Sequence, residues 1–143
     1  MASKHKINEK FLNAFIEVDK TCSTKFGVSG SGVNEYITRL RNSRFAQGRD
    51  EVLSRLTKYL NLRNRLAHEA GALSQIDEIS KEDVKWLESF EKSLEKKKDP
   101  ISLYLRKARR YAKRRKALKV VLTIGIIALV LSVAAGAVFL FVL

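Results

Sequence analysis

The 143-residue chain has one cysteine, two histidines and no window in which apolar and polar residues alternate with the period of a strand. A lone Cys22 excludes an internal disulfide. Its place on the apolar stripe of a predicted helix suits a buried thiol in a reducing compartment. His5, His68 and Cys22 stand far apart in the chain, so no metal-ligand spacing is spelled out, and neither a metal nor another cofactor is expected. The missing period-two pattern excludes an amphipathic sheet, and no internal repeat is present. An all-α chain remains.

Acidic residues are missing between Arg106 and Lys119, and charge of either sign is missing from Val120 to Leu143. The last 24 residues, VVLTIGIIALVLSVAAGAVFLFVL, would span about 36 Å as a helix, against roughly 30 Å of bilayer hydrocarbon. The other 119 residues are too few to surround a helix that is apolar on every side, which excludes a core helix. Its C-terminal position excludes a secretory signal. The net charge of +13 is local, because residues 92–119 carry 13 Lys and Arg against Glu95 and Asp99. Nine of these basic residues fall in RKARRYAKRRKALK, just before the apolar segment. By the positive-inside rule they place the preceding residues in the cytoplasm, and they attract anionic headgroups. The same strip can neutralise RNA phosphates as a second use. A single-pass, tail-anchored protein of the cell membrane is expected, held through residues 120–143 with its soluble domain cytoplasmic.

In the soluble part, Ile7, Phe11, Phe15, Val18, Cys22 and Phe26 recur at helical spacing, and Gly27 follows as a stop. VSGSG at 28–32 has neither a preceding strand nor the Lys-Ser/Thr of a phosphate loop, and is read as a flexible connection. Val33, Ile37 and Leu40 predict a short second helix. Val52, Leu56, Tyr59, Leu60 and Leu66 predict a third. Ser80 with Asp83 is a capping box opening a fourth, whose apolar positions are Val84, Leu87, Phe90 and Leu94. Asp99 and Pro100 then read as the N-cap and first residue of a basic helix, with Ile101, Tyr104, Leu105, Ala108 and Tyr111 as its narrow apolar stripe. The chain divides into a four-to-five-helix bundle over 1–98, a basic juxtamembrane helix over 99–119 and a transmembrane helix over 120–143.

One short stretch carries chemistry. Residues 61–71, NLRNRLAHEAG, crowd Arg63, Asn64 and His68 where a core helix would carry aliphatics. On a regular helix Arg63 and His68 diverge by about 140°, while Asn64 and His68 share a face. The three meet in one cleft only if the helix end is irregular or a second chain completes it. Such a trio suits RNA cleavage without metal. The histidine moves a proton to or from ribose oxygens, the arginine holds the phosphate and the charge that builds on it, and Asn64 orients either. The alternative is a solvated helix end, with Arg63 and Arg65 reaching into water and His68 capping carbonyls.

LRNRLAHEAG resembles the signature of the HEPN superfamily, all-α domains acting on nucleic acids, over roughly residues 5–98. Arg63, Asn64 and His68 match its motif, with four residues between arginine and histidine. The resemblance implies a HEPN-like bundle in which two protomers pair so that both motifs line one cleft. It also implies a metal-independent endoribonuclease of the toxin or antiviral-defence kind, with RNA as partner and Arg63, His68 and Asn64 as catalytic residues. Some relatives bind nucleotides or only scaffold. The alternative is therefore a non-catalytic membrane-tethered helical adaptor or a nucleotide- or RNA-binding module, and an unknown protein regulator accompanies either. Ala128, Ser132 and Gly136, flanked by Gly125 and Ala135, form a small-residue stripe that supports a homodimer.

The full chain is expected to sediment with membranes, released by detergent and not by high salt, because salt screens a polybasic contact but not a buried span. Fractionation of a truncation ending at Lys119 checks this: retention as firm as that of the full chain would refute the span.

Overall fold

A computed structural model describes residues 2–69 and 71–142, with the side chains of 2–3, 135–136 and 138–142 left aside. Among these residues the only regular elements are helices: α1 (Ala2–Phe26), α2 (Gly32–Asn42), α3 (Arg49–His68), α4 (Ala72–Gln75), α5 (Lys81–Glu95) and α6 (Pro100–Val142). The chain forms two compact units, Met1–Tyr104 and Leu105–Leu143.

In the first unit α1 is the central element, packing against α2, α3, α4 and α5. Its stripe explains why: Phe11, Phe15, Val18 and Cys22 are fully or almost fully buried. Gly27 ends the helix with a positive φ of 67°, and the Val28 N–H bonds the Ser23 carbonyl at 3.0 Å, the pattern that satisfies a last-turn carbonyl. Aromatic rings tie the elements together. Phe11 meets Tyr59 edge-on at 5.4 Å, Tyr36 meets Phe90 edge-on at 5.4 Å, and Trp86 stacks on Phe90 at 5.0 Å. Each such pair adds about 0.5–1.5 kcal/mol beyond burial of its area.

Three polar devices set the arrangement. Asn8, buried on α1, donates from Nδ2 to the carbonyls of Leu73 and Ile76, both at 2.9 Å, and so fixes the short α4 that periodicity could not reveal. The expected capping box is present: the Asp83 N–H donates to Ser80 Oγ at 3.2 Å, and the Ser80 N–H donates to Asp83 Oδ2 at 2.8 Å. Tyr59 donates to the other Asp83 oxygen at 2.8 Å, joining α3 to α5. Finally, Gly32 lies directly on α1, where a Cβ would overlap the backbone of Asp19 and Ser23. Only glycine allows this approach. In the same contact Asp19 Oδ1 accepts the Val33 N–H at 2.8 Å, capping α2 from α1.

Asp99 closes the first unit. Its side chain is wholly buried and accepts from Lys25 Nζ at 2.6 Å, the Tyr36 hydroxyl at 2.8 Å and the Ser102 N–H at 3.2 Å. Lys25 also donates to Ser102 Oγ at 2.8 Å. One carboxylate therefore joins the end of α1, the middle of α2 and the start of α6. Burial alone would raise its pKa. The hydrogen bonds from Lys25 and Ser102, the Lys25 charge and the Tyr36 hydroxyl outweigh burial and hold it below the usual aspartate range. Burial and the neighbouring carboxylate push the Tyr36 hydroxyl upward.

The first residues of α6 belong to this unit, with Ile101 buried and Tyr104 half-buried. From Leu105 to Ala134 every side chain is exposed, including Leu105 and Tyr111 of the expected stripe. α6 is long and apolar enough to cross a membrane, and the apolar window has no buried residue. The two hydroxyls in its apolar part are met by the helix itself: Thr123 donates to the Lys119 carbonyl at 2.9 Å and Ser132 to that of Leu129 at 2.8 Å. In hydrocarbon that pairing is what makes such residues tolerable. Of the small-residue stripe, Ala135 and Gly136 lie outside the residues whose side chains are described.

Because the folded pKa of Asp99 is depressed, its contribution to stability is complete above the ordinary aspartate value of about 3.9 and is lost as pH falls through the lower folded value. Lys25→Met should cost about 3–5 kcal/mol, nearer the lower figure because Nζ retains some solvent, and should move the acid-unfolding limb to higher pH. Urea unfolding as a function of pH checks both; an unchanged limb would show that Lys25 does not hold the carboxylate.

Candidate functional site

The motif sits on the last turns of α3. Leu56, Tyr59, Leu62 and Leu66 bury the inner face of this helix, and Asp50 and Glu51 occupy its first turn, where the helix dipole favours acids. The helix stays regular to His68. Glu69 then turns extended, at φ −92° and ψ 125°, while its N–H still reaches the Arg65 carbonyl at 2.9 Å. The irregular helix end that would bring Arg63 and His68 round to one cleft is therefore not formed among the described residues.

Arg63 and Asn64 come together, and His68 does not join them. The Arg63 Nη1 donates to Asn64 Oδ1 at 3.2 Å, and both residues line a groove of about 650 Å³ between α1, the start of α2 and α3. Its apolar lining is Phe15, Ile16 and Leu60; its polar lining includes Lys20, Ser31 and Asn34. Arg63 is half-buried and has no carboxylate partner among the described residues. His68 is exposed at the helix terminus, and its imidazole makes no hydrogen bond among the described residues. The carbonyl capping that the alternative of a solvated helix end assigned to His68 is made at the Arg65 carbonyl by the Glu69 N–H.

The neighbouring arginine is otherwise engaged. Arg65 Nη1 pairs with Glu78 at 2.7 Å and its Nε with Glu69 at 3.4 Å, pinning the end of α3 to the segment that leads into α5. This leaves Arg63 as the groove's arginine, with Lys20 as its second cation. Asp19 also lines the groove, but one of its oxygens is committed to the Val33 N–H. Beneath Gly32 the Ser23 hydroxyl is buried without a partner among the described residues. The groove's lining gives a ligand an apolar floor for a flat ring, two cations for a phosphate and amides to hydrogen-bond base edges.

Other reactive groups are sequestered. Burial pushes the Cys22 thiol up to about 12, and burial with the Asp83 hydrogen bond pushes Tyr59 up to about 12. Neither is a nucleophile at neutral pH. No three His, Cys, Asp or Glu groups stand together as metal ligands among the described residues.

Motif reading missed Lys20, Asn34 and the apolar floor. The available signal was the four-residue spacing of Ile16 and Lys20, which puts both on one flank of α1; that this flank faces Arg63 is a fact of tertiary packing.

Residues 9–122 match the model of a family described as a family of unknown function, DUF6548. No curated protein and no solved structure matches the chain.

Because these groove and terminus side chains carry little packing, Asn64→Ala and His68→Ala should each change stability by no more than about 0.5 kcal/mol. Thermal unfolding checks it. A large loss would make the motif a structural element and not a site.

Proposed function

The chain belongs to the DUF6548 family, which carries no assigned activity, and we propose from the site itself that it is a membrane-tethered, metal-independent endoribonuclease acting as a homodimer. The observation that carries this reading is the groove wall formed by Arg63 and Asn64, with an uncommitted imidazole one turn further along the same helix. A forked guanidinium without a carboxylate partner is suited to two phosphate oxygens, and an exposed imidazole is suited to proton transfer. Since His68 is not among the residues that line the groove, a composite site takes Arg63 from one copy and His68 from the other. The likeness of LRNRLAHEAG to HEPN nucleases supports the same pairing. α6 supplies the tether, and confinement to a bilayer raises the effective concentration of two domains for each other. The basic strip before the apolar segment favours a cytoplasmic domain, where RNA is met.

In this mechanism a histidine removes the proton from a ribose 2′-hydroxyl. The 2′-oxygen attacks phosphorus, the bond to the 5′-oxygen breaks, and the imidazolium formed in the first transfer returns its proton to that leaving oxygen. Arg63 carries the charge that accumulates on the non-bridging oxygens. The products are a 2′,3′-cyclic phosphate and a 5′-hydroxyl.

Full-length protein in detergent, given labelled single-stranded RNA with EDTA, should produce these ends. His68→Ala should lower the rate by roughly 10²–10⁴-fold, and Arg63→Lys should fail to restore what Arg63→Ala loses, since an ammonium lacks the planar fork. Mixed Arg63→Ala and His68→Ala chains should regain part of the activity. Cleavage that survives both alanine variants, stops with EDTA or leaves a 5′-phosphate would falsify this mechanism. Binding without cleavage would mark an RNA-binding module, and neither would favour a protein adaptor.

A further inference from the structure

The turn between α2 and α3 holds a large apolar side chain out in solvent. Phe45 is 87% exposed, more than any other large apolar residue described, those of the uncharged part of α6 included. The turn is not loose: the Ser43 N–H bonds the Leu40 carbonyl, Ser43 Oγ the Arg39 carbonyl, the Ala46 N–H the Ser43 carbonyl and the Arg49 N–H the Ala46 carbonyl, all within 3.2 Å. Ser43 and Ala46, on either side of Arg44 and Phe45, are buried. The backbone is thus built to present Phe45 outward. Arg41 and Arg44 flank it, both exposed, while Arg49 braces the turn by donating to the carbonyls of Leu40 and Arg41 at 3.2 Å.

The place of this turn in the bundle gives it a partner. Gly48, at the end of the turn, lines one cavity of about 250 Å³ together with Lys98, Asp99 and Pro100. The turn therefore lies at the end of the first unit where α6 begins, the end that also carries the exposed Lys96 and Lys98. We propose that Phe45, with Arg41 and Arg44, is an interfacial anchor that seats this end of the bundle on an anionic bilayer surface, the ring at headgroup level and the guanidiniums on lipid phosphates. Aromatic and basic side chains together are the chemistry of that interface. One ring with a cationic rim is too small for a stable protein interface, which needs about 800 Å² per partner. A membrane held close by α6 of the same chain needs no such area, because tethering makes a weak contact effective.

The full chain is reconstituted into phosphatidylcholine–phosphatidylglycerol vesicles, and flotation first establishes insertion of the apolar helix independently of the turn. Tryptophan emission of Phe45→Trp is compared with that of the unaltered chain, so that Trp86, present in both, cancels. The expected result is a blue-shifted increment that brominated acyl chains quench in anionic vesicles. It should weaken at high salt, and should drop roughly tenfold or more in seated fraction when Arg41→Glu and Arg44→Glu are added. An increment that iodide quenches equally in vesicles and in detergent overturns the proposal. So does protection that appears in detergent with rising protein concentration, which assigns the turn to a second copy, or only on adding RNA, which assigns it to nucleic acid.

Discussion

The Asp99 carboxylate is the constraint on which the first unit closes. It is the only wholly buried acid among the described residues, and it is held by a lysine, a phenol and a backbone N–H drawn from three helices. A buried carboxylate is costly unless every lone pair is met, so the first residues of α6, which belong to the first unit, are held against α1 and α2 by the need to keep this one satisfied. Hydrophobic packing alone tolerates small slides of one helix along another. A carboxylate with partners at 2.6 and 2.8 Å does not.

That constraint also explains a division of labour along the chain. Asp99 N-caps α6 through the Ser102 N–H and anchors the bundle by its other contacts, so the element that leaves the first unit starts from a rigid point. Beyond Tyr104 the helix carries cations and then apolar residues, all exposed through Ala134. The two units thus differ in what stabilises them. The first relies on burial and a few polar locks. The second has no buried side chain from Leu105 to Ala134 and is held by its own backbone hydrogen bonds.

Helices α1, α2, α3 and α5 were legible in the sequence because each buries a stripe at helical spacing: Phe11, Phe15, Val18 and Cys22 on α1, and Val84, Leu87, Phe90 and Leu94 on α5, are inside as their periodicity requires. The capping box at Ser80 and the stop at Gly27 were equally plain, since both depend on residues within a few positions of each other. Asn8, Asp19 and Lys25 were not. Their partners lie 65, 14 and 74 residues away, and nothing local distinguishes them from surface polar residues. The motif was legible as residue types. Its geometry was not: that Arg63 and Asn64 share a groove with Lys20 of α1, while His68 stands apart, follows from packing between helices and from a regular α3 terminus.

Gly32 gives the groove its gauge. Ser31 and Asn34, on either side of it, line the groove with Arg63, and Gly32 lies so close to α1 that a hydrogen atom stands where a side chain would meet the backbone of Asp19 and Ser23. The distance across the groove is therefore metered by a backbone contact, which is stiffer than one between side chains that can change rotamer. Any side chain in place of this glycine would push the start of α2 away from α1 and widen the groove. The width of the groove is thus set by a residue that is not part of its lining.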